Sequence, residues 1–85
     1  MNINELSKKV NTVKNEVETI LLGRKGKTNA KKVTEQIIEE NGLKYSKAIR
    51  ESFTHYYIMS DDFHGSISLF ISYDSQGKVV EVKTY

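Results

Sequence analysis

The sequence predicts an α+β fold: two N-terminal helices, with a short third, packed on one face of a three-stranded antiparallel β-meander. Three observations carry this reading. A helical apolar stripe runs through residues 3–22, and a strict two-residue alternation runs through 66–73. At Phe53 the composition turns from Lys-rich to aromatic and β-branched. Helices gathered before strands, rather than alternating with them, define the α+β class.

In the first element, Ile3, Leu6, Val10, Val13, Val17 and Ile20 recur at spacings of three and four. Asn2 is placed to cap this helix, with Glu5 three residues on, and Gly23 can take the left-handed conformation that ends it. The same spacing fits a coiled-coil seam, but under three heptads of it, so packing onto a sheet is the reading adopted. Residues 24–29 form a polar loop. Thr28 or Asn29 then caps a second helix over 30–40, with Ala30, Val33, Ile37 and Ile38 inward. Asn41-Gly42 stops it, and Leu43 folds back on the last turn. Residues 44–52 stay open between two readings: Tyr45, Ala48, Ile49 and Phe53 fit one helical face, Tyr45, Lys47 and Ile49 fit a strand less well, and a short helix over 46–52 is preferred.

Strands are expected over about 53–60, 66–73 and 78–84. Asp61 to Gly65 makes the first connection. In the middle strand Ile67, Leu69, Ile71 and Tyr73 share one face, and Ser66, Ser68, Phe70 and Ser72 share the other, the mark of a half-buried antiparallel strand. Asp74-Ser75-Gln76-Gly77 fits a type I turn ending in a glycine bulge, after which Val80 and Val82 point inward.

The chain has 85 residues, so one domain, 1–85, with one modest core is expected; 38% of the residues are hydrophobic. That length excludes a dinucleotide-binding fold, a TIM barrel or a two-domain enzyme. Without cysteine there is no disulfide, thiolate metal site or thiol nucleophile. No apolar run approaches the roughly 18 residues that span a bilayer, so no membrane association is expected. Met1 to Glu5 lacks a cationic segment leading into an apolar one, and the expected location is the cytoplasm, that of the host if the gene is a phage's. Proline is absent, and Lys outnumbers Arg eleven to two, codon usage that points to a low-GC bacterium, its phage or a mobile element.

The net charge is +2, divided unevenly: residues 1–50 carry +5 and residues 51–85 carry −3. Arg24, Lys25, Lys27, Lys31 and Lys32 place five cations in nine residues, the last two in the first turn of the second helix. Cations there oppose the helix dipole, and a bound phosphate would relieve this, which makes the segment a candidate anion or nucleic-acid site. It reads equally as a solvated loop. Gly26-Lys27-Thr28 matches the end of a phosphate-binding loop, but position 21 is Leu where that loop needs Gly, and a helix precedes it, so an NTPase is rejected.

His55, Tyr57, Asp61, Asp62 and His64 lie within ten residues. His55 and His64, with Tyr57, could act as acid–base groups in metal-independent RNA cleavage. The helices-then-sheet order resembles small bacterial ribonuclease toxins. Asp61, Asp62 and His64 are too few and too close in sequence for a metal site, and no metal or cofactor is expected. Phe70, Tyr57, Asp61, Asp62 and His64 form the candidate partner-binding surface, an exposed sheet face with the loop beside it. The C-terminal strand offers an edge, with Lys78 and Lys83 as edge protectors, so a homodimer through this edge or through the first helix is a further expectation.

The size, the mixed composition and the opening Met1-Asn2-Ile3-Asn4 resemble small phage-encoded inhibitors of the anti-CRISPR kind. That resemblance implies a non-enzymatic protein that binds and blocks a host macromolecule. Inhibitors of this kind that mimic nucleic acid present a strongly acidic surface. Here only the C-terminal half, with Glu51, Asp61, Asp62, Asp74 and Glu81, offers a local acidic patch. The sequence therefore ranks a protein-binding module first, nucleic-acid binding through residues 24–32 second, and a ribonuclease third.

Overall fold

The computed structural model describes residues 1–85, with all side chains but that of Phe63. Two helices, α1 (Ile3–Leu21) and α2 (Lys27–Glu40), precede four strands: β1 (Lys44–Ile49), β2 (Phe53–Ser60), β3 (Phe63–Tyr73) and β4 (Val79–Thr84). The strands form one antiparallel sheet in the order β1-β2-β3-β4, and both helices lie on one face of it.

The buried stripe of α1 is Leu6, Val10, Val13, Val17 and Leu21. The expected end members turn outward, with Ile3 48% and Ile20 43% exposed. The Asn2 side chain accepts from the Glu5 N–H at 2.9 Å, which satisfies one of the orphan donors of the first turn. Because this stripe is spent on the chain's own sheet, no seam remains for a coiled coil. In α2, Ala30, Thr34, Ile37 and Ile38 are buried, and Thr34 returns its hydroxyl to the Ala30 carbonyl at 2.7 Å. The end of α2 is a Schellman motif. Gly42, at φ 72°, donates to Glu39 O at 3.0 Å, and Leu43 donates to Ile38 O at 3.2 Å while its side chain joins the core.

The structure corrects the sequence reading in several places. Residues 46–52 are not a helix. Residues 44–49 are β1, a fourth strand paired along its length with β2. Its apolar pattern is weak because it is an edge strand whose inward side is held by polar contacts rather than buried. Helix α2 begins at Lys27, not at residue 30, and neither Thr28 nor Asn29 caps it. Its N-cap is Gly26, at φ 112°, a backbone conformation open to glycine and fixed by a Gly26 N–H bond to Gly77 O at 3.1 Å. Lys31 and Lys32 consequently sit past the first turn. The β2–β3 connection is only Asp61-Asp62, since β3 starts at Phe63, and a register shift between Ile58 and Ser60 absorbs the extra residues. Val80 does not point inward. A bulge opposite Ser72 and Tyr73 buries Val79 and leaves Val80 48% exposed.

The β3–β4 turn is held by Asp74, whose Oδ1 accepts from Gln76 N and Lys78 N, each at 2.9 Å. Segment 23–26 then lies along the start of β4: Gly23 donates to Val79 O at 2.8 Å and Val79 donates to Arg24 O at 2.9 Å. This covers part of the C-terminal strand's edge. The core fills the space between helices and sheet, with Tyr56, Ile58, Leu69 and Ile71 from the central strands against Leu6, Val13, Val17 and Ile38.

Leu69 is fully buried at the centre of this core. Leu69→Ala is expected to cost about 2–5 kcal/mol, against a total of roughly 4–13 kcal/mol for a chain of this size. Urea unfolding should show a midpoint lowered by at least about 15% with an unchanged slope.

Candidate functional site

The face of the sheet turned away from the helices carries the side chains that alternate with the core. From β2 come Phe53, His55 and Tyr57, from β3 Ser68, Phe70 and Ser72, and from β4 Glu81 and Lys83, with Tyr85 just beyond its end. His55 is opposite Phe70, and Tyr57 is opposite Ser68. Three rings therefore form one stack: His55 lies 4.0 Å from Tyr57 at 29° and 4.1 Å from Phe70 at 26°. Phe53 flanks Phe70 at 5.8 Å, and Tyr85 meets its edge at 5.2 Å and 87°. Five aromatic rings thus make a continuous layer across β2, β3 and the end of β4. Tyr57 is 36% and Tyr85 72% exposed.

The stack is anchored by a bond between His55 Nε2 and Ser68 Oγ at 2.8 Å. Burial between the rings, and then the charge of Arg50, hold the His55 pKa below the usual imidazole value. The ring is neutral at neutral pH, so the centre of the layer carries no charge. Charges stand at its margins: Lys44 is paired with Asp61 at 2.6 Å and Lys83 with Glu81 at 3.6 Å, while Arg50, which bonds to the Ile49 carbonyl, keeps its charge near His55. Lys83 also lies 4.9 Å over the ring of Tyr85.

The other candidates are scattered by the fold. His64 lies on β3 six residues from the partner of His55, about 20 Å at strand rise. The two histidines do not share a site; His55 bonds to Ser68 and stacks on Tyr57, the other acid–base candidate. Asp62 pairs with the N-terminal ammonium and accepts from Ser60 at 3.1 Å, while Asp61 is held by Lys44. Asp61, Asp62 and His64 therefore stand at one end of the sheet, apart from Phe70. Among the described residues no three His, Asp or Glu side chains converge as metal ligands would.

The basic segment is also divided. Lys27 donates to Glu51 O at 2.6 Å and lies 5.4 Å over the Tyr73 ring, so its ammonium serves the fold. Lys25 bridges to Lys78 beside Asp74, whose carboxyl is held below its usual pKa by backbone N–H bonds and by these cations. Arg24 and Lys32 are exposed and Lys31 is half-buried.

One group that sequence reading misses is Glu35. From α2 its carboxylate accepts from Lys47 Nζ at 2.6 Å, Tyr56 Oη at 2.9 Å and Tyr45 Oη at 2.9 Å. Burial pushes its pKa up, but the three hydrogen bonds and the Lys47 charge outweigh this, and the net shift is downward. Burial, and then the Glu35 bond, push the Tyr56 hydroxyl up, so it stays protonated and donates. The aromatic run at 53, 55 and 57 was a legible signal for the outer layer. The place of Tyr85 and the bond from Ser68 to His55 came only through strand register.

Compared with protein-family models, with curated protein sequences and with solved structures, the chain has no match. Among the described residues no helix is long and apolar enough to cross a membrane.

Two stability predictions follow from these groups. Glu35→Ala strips the partner from the buried Tyr56 hydroxyl, a loss of about 1–3 kcal/mol. Calorimetry should show Tm lowered by roughly 5–15 °C, and Glu35→Gln should recover part of it. Because the Glu35 pKa is depressed, its contribution is present above the unfolded carboxyl value of 4.5 and is lost as pH falls through the folded value. His55 has the opposite charge type and a lowered pKa. The folded state disfavours its protonated form, so stability falls as pH drops below the unfolded value of 6.5. Melting curves between pH 7.5 and 5.5 should therefore be flatter for His55→Gln than for the parent.

Proposed function

We propose that this chain is a non-enzymatic protein-binding module whose outer sheet face docks on a partner protein. The carrying observation is the five-ring layer of Tyr57, His55, Phe70, Phe53 and Tyr85, partly exposed, uncharged at its centre and bordered by serines and charged side chains. Protein interfaces have this anatomy: aromatic residues at the core, charge depleted there, and a polar rim. A strand of nucleic acid crossing the same face would need cations along its path, and the central strands supply none on this side. The setting consistent with the composition is an inhibitor of a host system, carried by a phage or mobile element. In this reading the host component it blocks is the partner, and the protein acts in the host cytoplasm.

Nothing comparable supports the other two functions. With the histidines apart, a ribonuclease would have to work with His55 and Tyr57 alone and with no cation on the central strands to hold phosphate, and the diversion of Lys27 weakens the phosphate site at residues 24–32.

The test is quantitative capture from a low-GC bacterial lysate with the parent chain and with variants. Phe70→Ala combined with Tyr57→Ala should lower recovery of a specific partner at least about tenfold, with the circular dichroism spectrum retained. Lys31→Glu with Lys32→Glu should leave recovery unchanged. A partner indifferent to the face variant defeats the assignment. So do salt-sensitive amide shifts centred on Arg24–Lys32 when a mixed single-stranded RNA oligonucleotide is added, since these would favour the nucleic-acid reading.

A further inference from the structure

The two edges of the sheet are not equivalent. The start of β4 is covered by segment 23–26, whereas β1 ends the sheet on the other side with no strand beside it. The turn after β1 fixes which backbone groups are free. Arg50 donates to Phe53 O at 2.9 Å, so by the antiparallel alternation Ala48, Ser46 and Lys44 bond to β2. The N–H and C=O groups of Tyr45 and Lys47 and the N–H of Ile49 therefore point away from the sheet without a partner strand, while Ile49 O accepts from Arg50 Nη1 at 3.2 Å. Ile49 is 53% exposed beside them.

Lysines on an edge strand usually repel an incoming strand. Here both are engaged elsewhere: Lys47 with Glu35 and Lys44 with Asp61, each at 2.6 Å. Below the edge runs a flank of α2 with a different charge. Glu35, Gln36, Glu39, Glu40 and Lys32 line an open cavity of about 590 Å³. Glu35 bonds directly to β1, and Glu39 is close enough to help raise the Tyr45 hydroxyl pKa after burial and the Glu35 bond have acted. Lys47 neutralises Glu35, so Glu39 and Glu40 leave this flank acidic against the single charge of Lys32.

We propose that the free edge of β1 accepts an extended, basic segment of a partner protein as a fifth strand. The segment pairs with the backbone of Tyr45, Lys47 and Ile49, and its lysine or arginine side chains, on alternate residues, reach Glu39 and Glu40. Main-chain pairing supplies the affinity and the acidic flank selects the sequence, as in other cases of strand addition. This surface is separate from the aromatic face, so the inference stands without that assignment.

The probe is a synthetic hexapeptide alternating lysine and valine, titrated into the ¹⁵N-labelled chain, with a glutamate–valine peptide as the comparison. The basic peptide should shift the amides of Tyr45, Lys47 and Ile49 and slow their hydrogen exchange, and the acidic one should bind at least tenfold more weakly. Ile49→Pro removes one outward N–H at an edge position where proline is tolerated, and should weaken the basic peptide at least tenfold. Glu39→Lys with Glu40→Lys, both exposed on α2, should do the same and serves if the proline variant misfolds. Phe70→Ala should leave peptide binding intact. Equal binding of the two peptides, shifts confined to the outer face, or no shifts at millimolar peptide would overturn the proposal.

Discussion

The carboxylate of Glu35 is the contact on which the arrangement of helix and sheet depends. Tyr56 is the largest fully buried side chain, and its ring belongs to the core. A buried hydroxyl without a partner is costly, so something must reach it. The helix supplies that acceptor, and the same two oxygens also hold Tyr45 and Lys47. One side chain thereby ties α2 to both β1 and β2 and sets β1 in register, with Tyr45 edge-on to Tyr56 at 5.6 Å. Apolar burial drives α2 onto the sheet, but it is non-directional. The carboxylate gives that packing a direction.

Once both helices are committed to the inner face, the outer face is left to a different chemistry. Its rings are organised by one another and by the His55–Ser68 bond, not by a second layer of structure. Cross-strand aromatic pairs strengthen a sheet, so part of this layer's role is stability. The remaining exposure is what makes it a recognition surface. The edges differ for a related reason. Segment 23–26 must pass beside β4 to join the helices, and it pairs there, whereas nothing in the chain's path passes β1.

Much of this fold was legible in the residues. The α1 stripe, the Asn2 cap, the stop at Asn41-Gly42-Leu43 and the alternation of β3 are local patterns, and local geometry decides them. Strand β1 was not legible, because Lys44 to Ile49 has no apolar period of two. Its alternation is carried by Tyr45 and Lys47 binding an acid ten and twelve residues earlier. The start of α2 at Gly26 was hidden for the same reason, since the bond that fixes it comes from Gly77. Val80 misled because a bulge moves the inward position to Val79. On the outer face, Phe70 and Ser68 could be read from alternation, whereas the choice of Tyr57 over Tyr56, the His55–Ser68 bond and the place of Tyr85 required the register.

The sequence by itself determined the class of fold, both helices, the exposed character of one sheet face and the absence of cysteine chemistry. Those follow from periodicity and composition, which act over a few residues. The tertiary structure decided that there are four strands and that five aromatic residues form one layer. It also dispersed the two histidines and the five cations and left β1 as the open edge. Each of these depends on contacts between residues distant in sequence, and no local pattern encodes which distant group will satisfy a buried hydroxyl or complete a stack.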